Sequence, residues 1–201
     1  AINVVGSRLK SYLIPNLDAY ILVFVNGFFV PELSEVKEDK DGDFIVTNLN
    51  KAKSKFIKLV EPHLGFLTRD KDQFFGNLNA AFSQDGAFVY VKSGKQLDKP
   101  VHVINLVDGD LVVAYPRNLV VAEKNAEANV IVSYETLETN SALSNVVNEA
   151  FVAEGAHVTI DKIQNENSNT FHIGGDFAQQ EKNSTFTLNT IPVNGKLIRN
   201  N

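Results

Sequence analysis

The chain has 201 residues, 44% of them hydrophobic, and its 24 acidic and 19 basic side chains give a formal net charge of −5. This size and composition suffice for a buried core, and an acidic balance without blocks of like charge argues against a nucleic-acid partner. The sequence contains no cysteine, which excludes disulfides and thiolate chemistry from these residues.

The longest apolar run, residues 19–30, is interrupted by Asn26 and Gly27 and is too short to span a bilayer. No secretory signal is visible, so we expect a cytoplasmic protein without a membrane partner. Methionine is absent even from position 1, so we also expect this chain to be part of a longer protein.

The first 86 residues predict a small α/β segment. Asn26-Gly27 lies between two apolar runs, which is typical of a β-hairpin with a type I′ turn. Apolar residues at helical spacing predict a helix over residues 47–61, capped by Thr47 or Asn48. Its lysines are expected to face solvent rather than to form a binding patch.

A second helix is predicted from Asp70 to about Ser83, with an apolar stripe made of Phe74, Phe75, Leu78 and Phe82. Residues 84–86 end it as a turn rather than as a catalytic loop. From Ala87 onward the hydrophobic period changes from 3.6 to 2. We therefore predict an N-terminal segment, residues 1–86, and a β core, residues 87–201.

A short phrase recurs in this second part of the chain. Its copies are VVAEKNAEANVIV at 120–132, FVAEGAHVTID at 151–161 and AQQEKNSTFTL at 178–188. Aligning Glu123, Glu154 and Glu181, with a weaker copy at Lys92, gives corner spacings of 31, 31 and 27 residues. A nearly constant spacing in this range indicates one supersecondary unit stacked repeatedly.

The repeat predicts a parallel β-helix, because equivalent corners then lie above one another. It is expected to be right-handed, as crossover connections are. Asparagine suits such corners because it tolerates left-handed backbone. The predicted inward positions are Ala126, Ala128, Val130, Ala156, Val158, Ile160, Ser184, Phe186 and Leu188. The predicted outward positions are Glu127, Asn129, His157, Thr159, Thr185 and Thr187.

Candidate chemical residues in the repeat region are few. The four histidines, His63, His102, His157 and His172, lack the spacing of a metal site. We expect surface imidazoles, with an approach of outward-facing His157 and His172 as the less favoured alternative. Gly174-Gly175 is interpreted as a corner or bulge.

Two further features have structural interpretations. Asp108 and Asp110 around Gly109 predict a turn more than a calcium site. Arg117, entering a strand after Pro116, is expected to pair with a carboxylate on the next rung. We thus predict no catalytic residue and no metal ligand, and the residues themselves identify no cofactor-binding position.

Several longer runs resemble the SufB/SufD family of the SUF iron–sulfur cluster assembly system, and most of all its SufD branch. They are LNAAFSQDGAFVYVKSGKQLDKPVHVINL at 78–106, YPRNLVVAEKNAEANVIVSYE at 115–135 and NGKLIRN at 194–200, with VFVNGFF at 23–29 before them. The resemblance implies a right-handed parallel β-helix. It also implies a non-enzymatic scaffold that pairs with a SufB-like paralogue and a SufC-like ATPase.

The same resemblance implies that the iron–sulfur cluster is handled by the complex and that no cofactor is bound by this segment. Family members continue through more rungs, so the coil is expected to be incomplete here, with an open sheet edge that favours self-association as a homodimer. Two alternatives remain at this point: a carbohydrate-active β-helix enzyme and a surface adhesin.

Overall fold

A computed structural model describes residues 8–38, 42–69, 73–137 and 141–201. Two sheets face each other across the core. The six strands of sheet A, in spatial order, are β13 (Thr185–Asn194), β11 (His157–Asn165), β9 (Glu127–Thr136), β6 (Val101–Val107), β1 (Tyr20–Val25) and β2 (Phe28–Phe29).

Sheet B lies on the other side of the core, and its strands follow a matching spatial order. Its strands are β14 (Leu197–Asn200), β12 (Thr170–Gln180), β10 (Ala142–Val152), β8 (Arg117–Ala122), β5 (Ala87–Val91), β4 (Phe44–Asn48) and β3 (Lys37–Glu38), with β7 (Val112–Ala114) also paired to β10. Along the chain, each rung places one strand in sheet B and the next in sheet A. The rungs are β5–β6, β8–β9, β10–β11 and β12–β13.

Neighbouring rungs pair in parallel in both sheets. The prediction of a mainly β protein built on a parallel β-helix is therefore confirmed. In the N-terminal segment, β1 pairs in parallel with β6, while β4 pairs antiparallel with β5. The division at residues 86 and 87 stays a prediction.

The corners between the paired strands stack as predicted. Gly94, Asn125, Gly155 and Asn183 occupy the same corner position, and each has a positive φ, between 56° and 71°. Glycine and asparagine accept this left-handed backbone most readily. The N–H of each of the first three corner residues donates to a carbonyl oxygen of the corner above it, over 2.8 to 3.1 Å.

The predicted alignment of Glu123, Glu154 and Glu181 is wrong at Glu154. The backbone bonds that enter each corner start from Glu123, Ala153 and Glu181, which makes these three residues equivalent. Glu154 lies one position later and forms an ion pair with Lys124, with 3.0 Å between Nζ and Oε2. The rungs therefore pair with offsets of 30 and 28 residues, as His157 opposite Glu127 and Thr185 shows.

The predicted inward and outward faces are confirmed in the corner region. Ala126, Ala156, Val158 and Ile160 are buried between the sheets, and Phe186 packs against them. The predicted outward positions, among them Asn129, His157 and Thr187, are exposed or half-buried. Side-chain alternation along a strand explains both sets.

The hairpin prediction is confirmed. β1 and β2 pair antiparallel, with Val25 opposite Phe28. Asn26 and Gly27 between them have φ values of 53° and 82°, as a type I′ turn requires.

The helix predicted over 47–61 is shorter and interrupted. It consists of α1 (Leu49–Lys55) and α2 (Ile57–Val60), separated at Phe56, whose φ of −126° is not helical. Thr47 and Asn48 belong to β4, and neither side chain caps the helix. Instead the carboxylate of Asp85 accepts the backbone N–H of Asn50 over 2.9 Å, so the cap comes from a distant turn.

Helix α3 (Phe74–Phe82) supports the second helix prediction, whose start at residues 70–72 lies outside the described residues. The predicted apolar stripe is wrong, because Phe74 and Phe82 are 67% and 54% exposed. The buried residues of α3 are Gly76 and Asn79. Asn79 connects the helix to the sheet by donating to the carbonyls of Pro116 and Asn145, while Gly76 packs against Thr68.

Gly174 and Gly175 form neither a corner nor a bulge. They lie within β12 and pair in regular register with Val146 and Val147. A Cβ on Gly175 would lie 2.7 Å from the ring of Phe177, so a larger residue there would displace that ring. Asp108, Gly109 and Asp110 do form a turn, with φ of 106° at Gly109.

Within the described ranges, no helix is both long enough and apolar enough to cross a membrane.

Candidate functional site

The interior of the later rungs contains a chain of buried polar side chains, which we call the inner polar network. It begins with a ladder on sheet B, where Asn118, Asn148 and Asp176 occupy equivalent inward positions. Asn118 Nδ2 donates to Asn148 Oδ1 over 2.8 Å, and Asn148 Nδ2 donates to Asp176 Oδ1 over 2.7 Å. Because each amide both donates and accepts, the ladder remains hydrogen-bonded without water.

Lys162 connects this ladder to the opposite sheet. Its side chain is fully buried on β11, and its ammonium pairs with Asp176 Oδ2 and donates to Asn200 Oδ1 over 2.9 Å. Asn200 also exchanges hydrogen bonds with Gln164, each over 3.1 Å. A buried charge is tolerated when it is paired and its remaining donors are satisfied.

A second buried group of polar side chains lies at the same end of the rungs. His172 Nδ1 donates to Glu166 Oε2 over 2.7 Å, and both side chains are fully buried. Ser144 Oγ donates to the other oxygen of Glu166. The ring of Tyr134 packs edge-on against His172 with 4.8 Å between centroids. Burial, reinforced by Asp176, raises the pKa of Tyr134 well above its usual value, so its hydroxyl stays protonated.

The inner polar network holds one buried ion pair, Lys162 with Asp176, and one buried hydrogen-bonded pair, Glu166 with His172. Tyr134 Oη and His172 Nε2 have no hydrogen-bond partner among the described residues. Such orphaned buried atoms are rare and mark places where ordered water is expected. The arrangement can hold protons and charge inside the coil, but it places no activated nucleophile beside a base.

Sequence reasoning missed these residues, although one signal was present. The inward set Val158 and Ile160 continues with Lys162 and Gln164 at the same alternation. Reading that phase onward would have placed both polar side chains inside.

The interpretation of the histidines as surface groups is wrong for two of them. His102 and His172 are 1% and 0% exposed. His102 Nε2 lies 3.0 Å from Ser133 Oγ on the outer face of sheet A, and burial lowers the pKa of His102 to about 4. His157 is exposed on sheet A, whereas His172 lies on sheet B inside the coil, so the two do not form a site.

The prediction for Arg117 is confirmed. Its guanidinium binds Glu149 on β10, with 2.7 Å between Nη2 and Oε2, and both side chains are buried. Nη1 donates to Asn79 Oδ1 of α3, and Nη2 donates to Thr68 Oγ1. Glu149 also accepts the N–H of Gly65 over 2.9 Å. The pair therefore fastens α3 and the turn after α2 to the outer face of sheet B.

No group of three His, Asp or Glu side chains in the described ranges is placed to hold a metal ion.

Two family models match this chain, and both describe regions of the same family. Residues 9–103 match the model described as the SufBD protein N-terminal region, and residues 103–201 match the SUF system FeS cluster assembly SufBD core domain. The two models meet at residue 103 and together run through both sheets of the coil.

Curated relatives carry the same description. The chain is 32% identical over 202 aligned positions to an iron–sulfur cluster assembly SufBD family protein of Synechocystis, covering 96% of this chain and 44% of that protein. A protein of the same description from Staphylococcus haemolyticus is 25% identical, over 68% of this chain and 30% of the relative. This chain therefore spans less than half the length of these curated relatives.

Proposed function

Because the chain belongs to the SufB/SufD family of the SUF iron–sulfur cluster assembly system, we propose that it is a SufD-like, non-catalytic scaffold subunit of a SufBCD-type complex. The observation that carries this proposal is the succession of the two family models from residue 9 to residue 201. The match favours cluster assembly over the carbohydrate-active and adhesive alternatives. The sequence resemblance to the SufD branch supports the finer assignment.

The architecture supports a scaffold role. Parallel rungs produce long, stiff faces whose shape is set by backbone hydrogen bonds. The buried Arg117–Glu149 pair and the inner polar network hold these faces without offering a reactive group to solvent. Such a surface can position partner subunits over a long contact.

We propose that the cluster is cargo of the complex rather than a ligand of this segment. Iron–sulfur clusters are held mainly by cysteine thiolates, and this chain has none. Of the four histidines, His102 and His172 are buried and bonded to Ser133 and Glu166, so these two are not available as replacement ligands. Thiolate ligands would come from other parts of the assembly.

The proposed partners are a SufB-like paralogue and a SufC-like ATPase, in the cytoplasm. A homodimer is the simpler assembly that would form when the paralogue is absent. These partners are proposed for the whole protein, since this chain spans less than half the length of the curated relatives.

Co-expression tests the proposal. The full-length protein, tagged, is purified with and without its SufB-like and SufC-like partners, and bound iron and sulfide are measured together with cluster transfer to an apo-ferredoxin. We expect a stable ternary complex that transfers clusters, and no iron or sulfide on the tagged protein alone. Failure to co-purify with either partner, or a cluster held by the isolated protein, would contradict the proposal.

A further inference from the structure

A groove of about 320 Å³ lies on the outer face of sheet B, beside the stacked corners. We call it the corner groove. Its floor is formed by Tyr90, Val121 and Phe151, which are register neighbours on three successive rungs. Its wall is formed by the turn after α2, through His63 and Phe66. The groove is therefore a rigid floor of sheet residues with one aromatic wall.

The rim of the corner groove is negatively charged. Glu123 and Glu181 both line it, at equivalent corner positions two rungs apart. This separation corresponds to about 10 Å between their backbones. Ala153 takes the position between them, so no side chain longer than a methyl group fills the gap on that rung.

Neither rim carboxylate is paired with a cation in the described part of the chain. Glu123 accepts the hydroxyl of Tyr90 over 2.7 Å and the N–H of Ser93 over 3.0 Å. Glu181 Oε2 accepts the N–H of Glu154 over 3.1 Å. All these donors are uncharged, and among the described residues neither glutamate takes part in an ion pair. The hydrogen bonds orient the carboxylates but leave their negative charge in place.

The aromatic wall already binds one cationic group. The guanidinium carbon of Arg69 lies 3.8 Å from the ring centroid of Phe66, and Phe66 remains 39% exposed. Farther in, the rings of His63 and Phe151 meet edge-on with 4.6 Å between centroids. His63 Nδ1 donates to the carbonyl of Leu59 over 2.9 Å, which fixes the ring against the helix. Aromatic faces of this kind attract cations.

We propose that the corner groove binds a basic segment of a partner protein, with one arginine side chain laid across the floor. Its aliphatic stem covers the apolar floor, and its guanidinium lies between Glu123 and Glu181. Arginine suits the site better than lysine because its planar group both stacks on rings and forms paired hydrogen bonds with carboxylates. A neutral or acidic segment would leave both rim charges uncompensated. This proposal is independent of cluster assembly.

The test uses the full-length protein and fluorescein-labelled pentapeptides, Gly-Leu-Arg-Leu-Gly and the matched Gly-Leu-Gln-Leu-Gly. Fluorescence anisotropy at low salt measures their affinities. We expect the arginine peptide to bind about tenfold more tightly, and its advantage to shrink as salt increases. A diazirine form of the arginine peptide should crosslink to residues of α2, the following turn or the corner.

Variants locate the effect. Glu181→Gln, and the double change Glu123→Gln with Glu181→Gln, should remove most of the preference for arginine, while Phe66→Leu should weaken the arginine peptide by about threefold. Glu32→Gln removes one exposed acidic charge elsewhere and serves as the matched control. Equal binding of the two peptides, an equal loss in Glu32→Gln, or crosslinks away from the groove would overturn the proposal. Unchanged unfolding midpoints establish that each variant is folded.

Discussion

The first rungs and the later rungs of the coil share one backbone architecture but fill their interiors differently. Between β1, β5 and β6 the core is almost entirely aliphatic and aromatic, with Leu22, Phe24, Val89 and Val103 fully buried. Between β10, β11 and β12 the corresponding space contains the inner polar network. The parallel ladder and the corners therefore set the fold in both regions, while the interior composition is free to change if each polar group finds a partner.

The largest effect is expected from breaking the inner polar network. Lys162→Met leaves Asp176 without its cation, and water cannot replace that cation because the Asp176 side chain is only 6% exposed. We expect the free energy of unfolding to fall by about 3–5 kcal/mol, because an unpaired buried charge is costly. Urea denaturation measures the change.

Two further variants make this test specific. Lys124→Met removes an exposed ion pair with Glu154 and should cost less than about 1 kcal/mol. Adding Asp176→Asn to Lys162→Met should recover part of the loss, since the amide keeps the bond to Asn148 without the charge. A Lys162 effect no larger than that of Lys124 would show that the later rungs tolerate unpaired charge.

The next prediction concerns His102, which is buried on the outer face of sheet A in the first rung. Burial lowers the pKa of His102 to about 4, below the value near 6.5 in an unfolded chain. Between these two values His102 is protonated in the unfolded state but neutral in the folded state. The stability that the neutral buried imidazole contributes is therefore lost as pH falls from 6.5 towards 4. Between pH 7 and pH 5 the loss amounts to about 2 kcal/mol.

His102→Gln should remove that loss, because glutamine can still bond Ser133 but does not titrate. Denaturation at pH 7 and pH 5 compares the slopes. His157→Gln, at an exposed position, is the control and should leave the pH profile as it is. A profile unchanged by His102→Gln would show that the burial of this imidazole has no energetic consequence.

The stacked corners occur in both the first and the later rungs, and a substitution there tests the left-handed backbone rather than the interior. Gly155 has a φ of 69°, and a Cβ there would lie 2.2 Å from Asn125 Oδ1. Gly155→Ala should lower the free energy of unfolding by about 1–2 kcal/mol through backbone strain and displacement of that side chain. Asn125→Gly, which keeps the left-handed backbone, is the matched change and should cost less. Thermal unfolding compares the two.

The smallest effect concerns Glu135, next to Asn165 on the later rung. Burial raises its pKa to about 7, although the bond from Asn165 acts in the opposite direction. Because the pKa of Glu135 is higher in the folded state, the folded protein is stabilised below the unfolded value of 4.5. It loses this stabilisation as pH rises to 7. Glu135→Gln should therefore gain about 1 kcal/mol at pH 8, after allowance for solvent screening, and nothing at pH 4. An equal gain at both pH values would contradict the titration.

The hairpin, the repeat and the stacked corners could be predicted because each depends on local chemistry. Asn26-Gly27 requires a left-handed turn, and the glycines and asparagines of the corners require the same backbone in each rung. Arg117 could be assigned a carboxylate on the next rung because β-helix stacking brings successive rungs together. The one-residue error at Glu154 arose because glutamates at adjacent positions look equivalent when a rung is one residue shorter.

The interior of β12 could not be predicted, because its alternation is inverted. Phe171 and Ile173 lie on the outer side, while His172 and Gly174 face the core. Hydrophobic alternation alone would place the two apolar residues inside. Similarly, the stripe of phenylalanines on α3 suggested a buried face, but Gly76 and Asn79 are the buried residues, and Asn79 bonds to the sheet.

By itself, the amino-acid sequence determined the parallel coil and its corner chemistry, since strand alternation and left-handed turns are decided within a few residues. The resemblance to the SufB/SufD family came from longer runs of the sequence. The tertiary structure decided which polar side chains lie inside, because that depends on what the opposite sheet supplies. Lys162 is buried since Asp176 and Asn200 meet it there, and His172 is buried since Glu166 accepts a hydrogen bond from its Nδ1. Asp176 and Asn200 come from the opposite sheet and Glu166 from the connection between β11 and β12, so contacts outside each strand fixed the site.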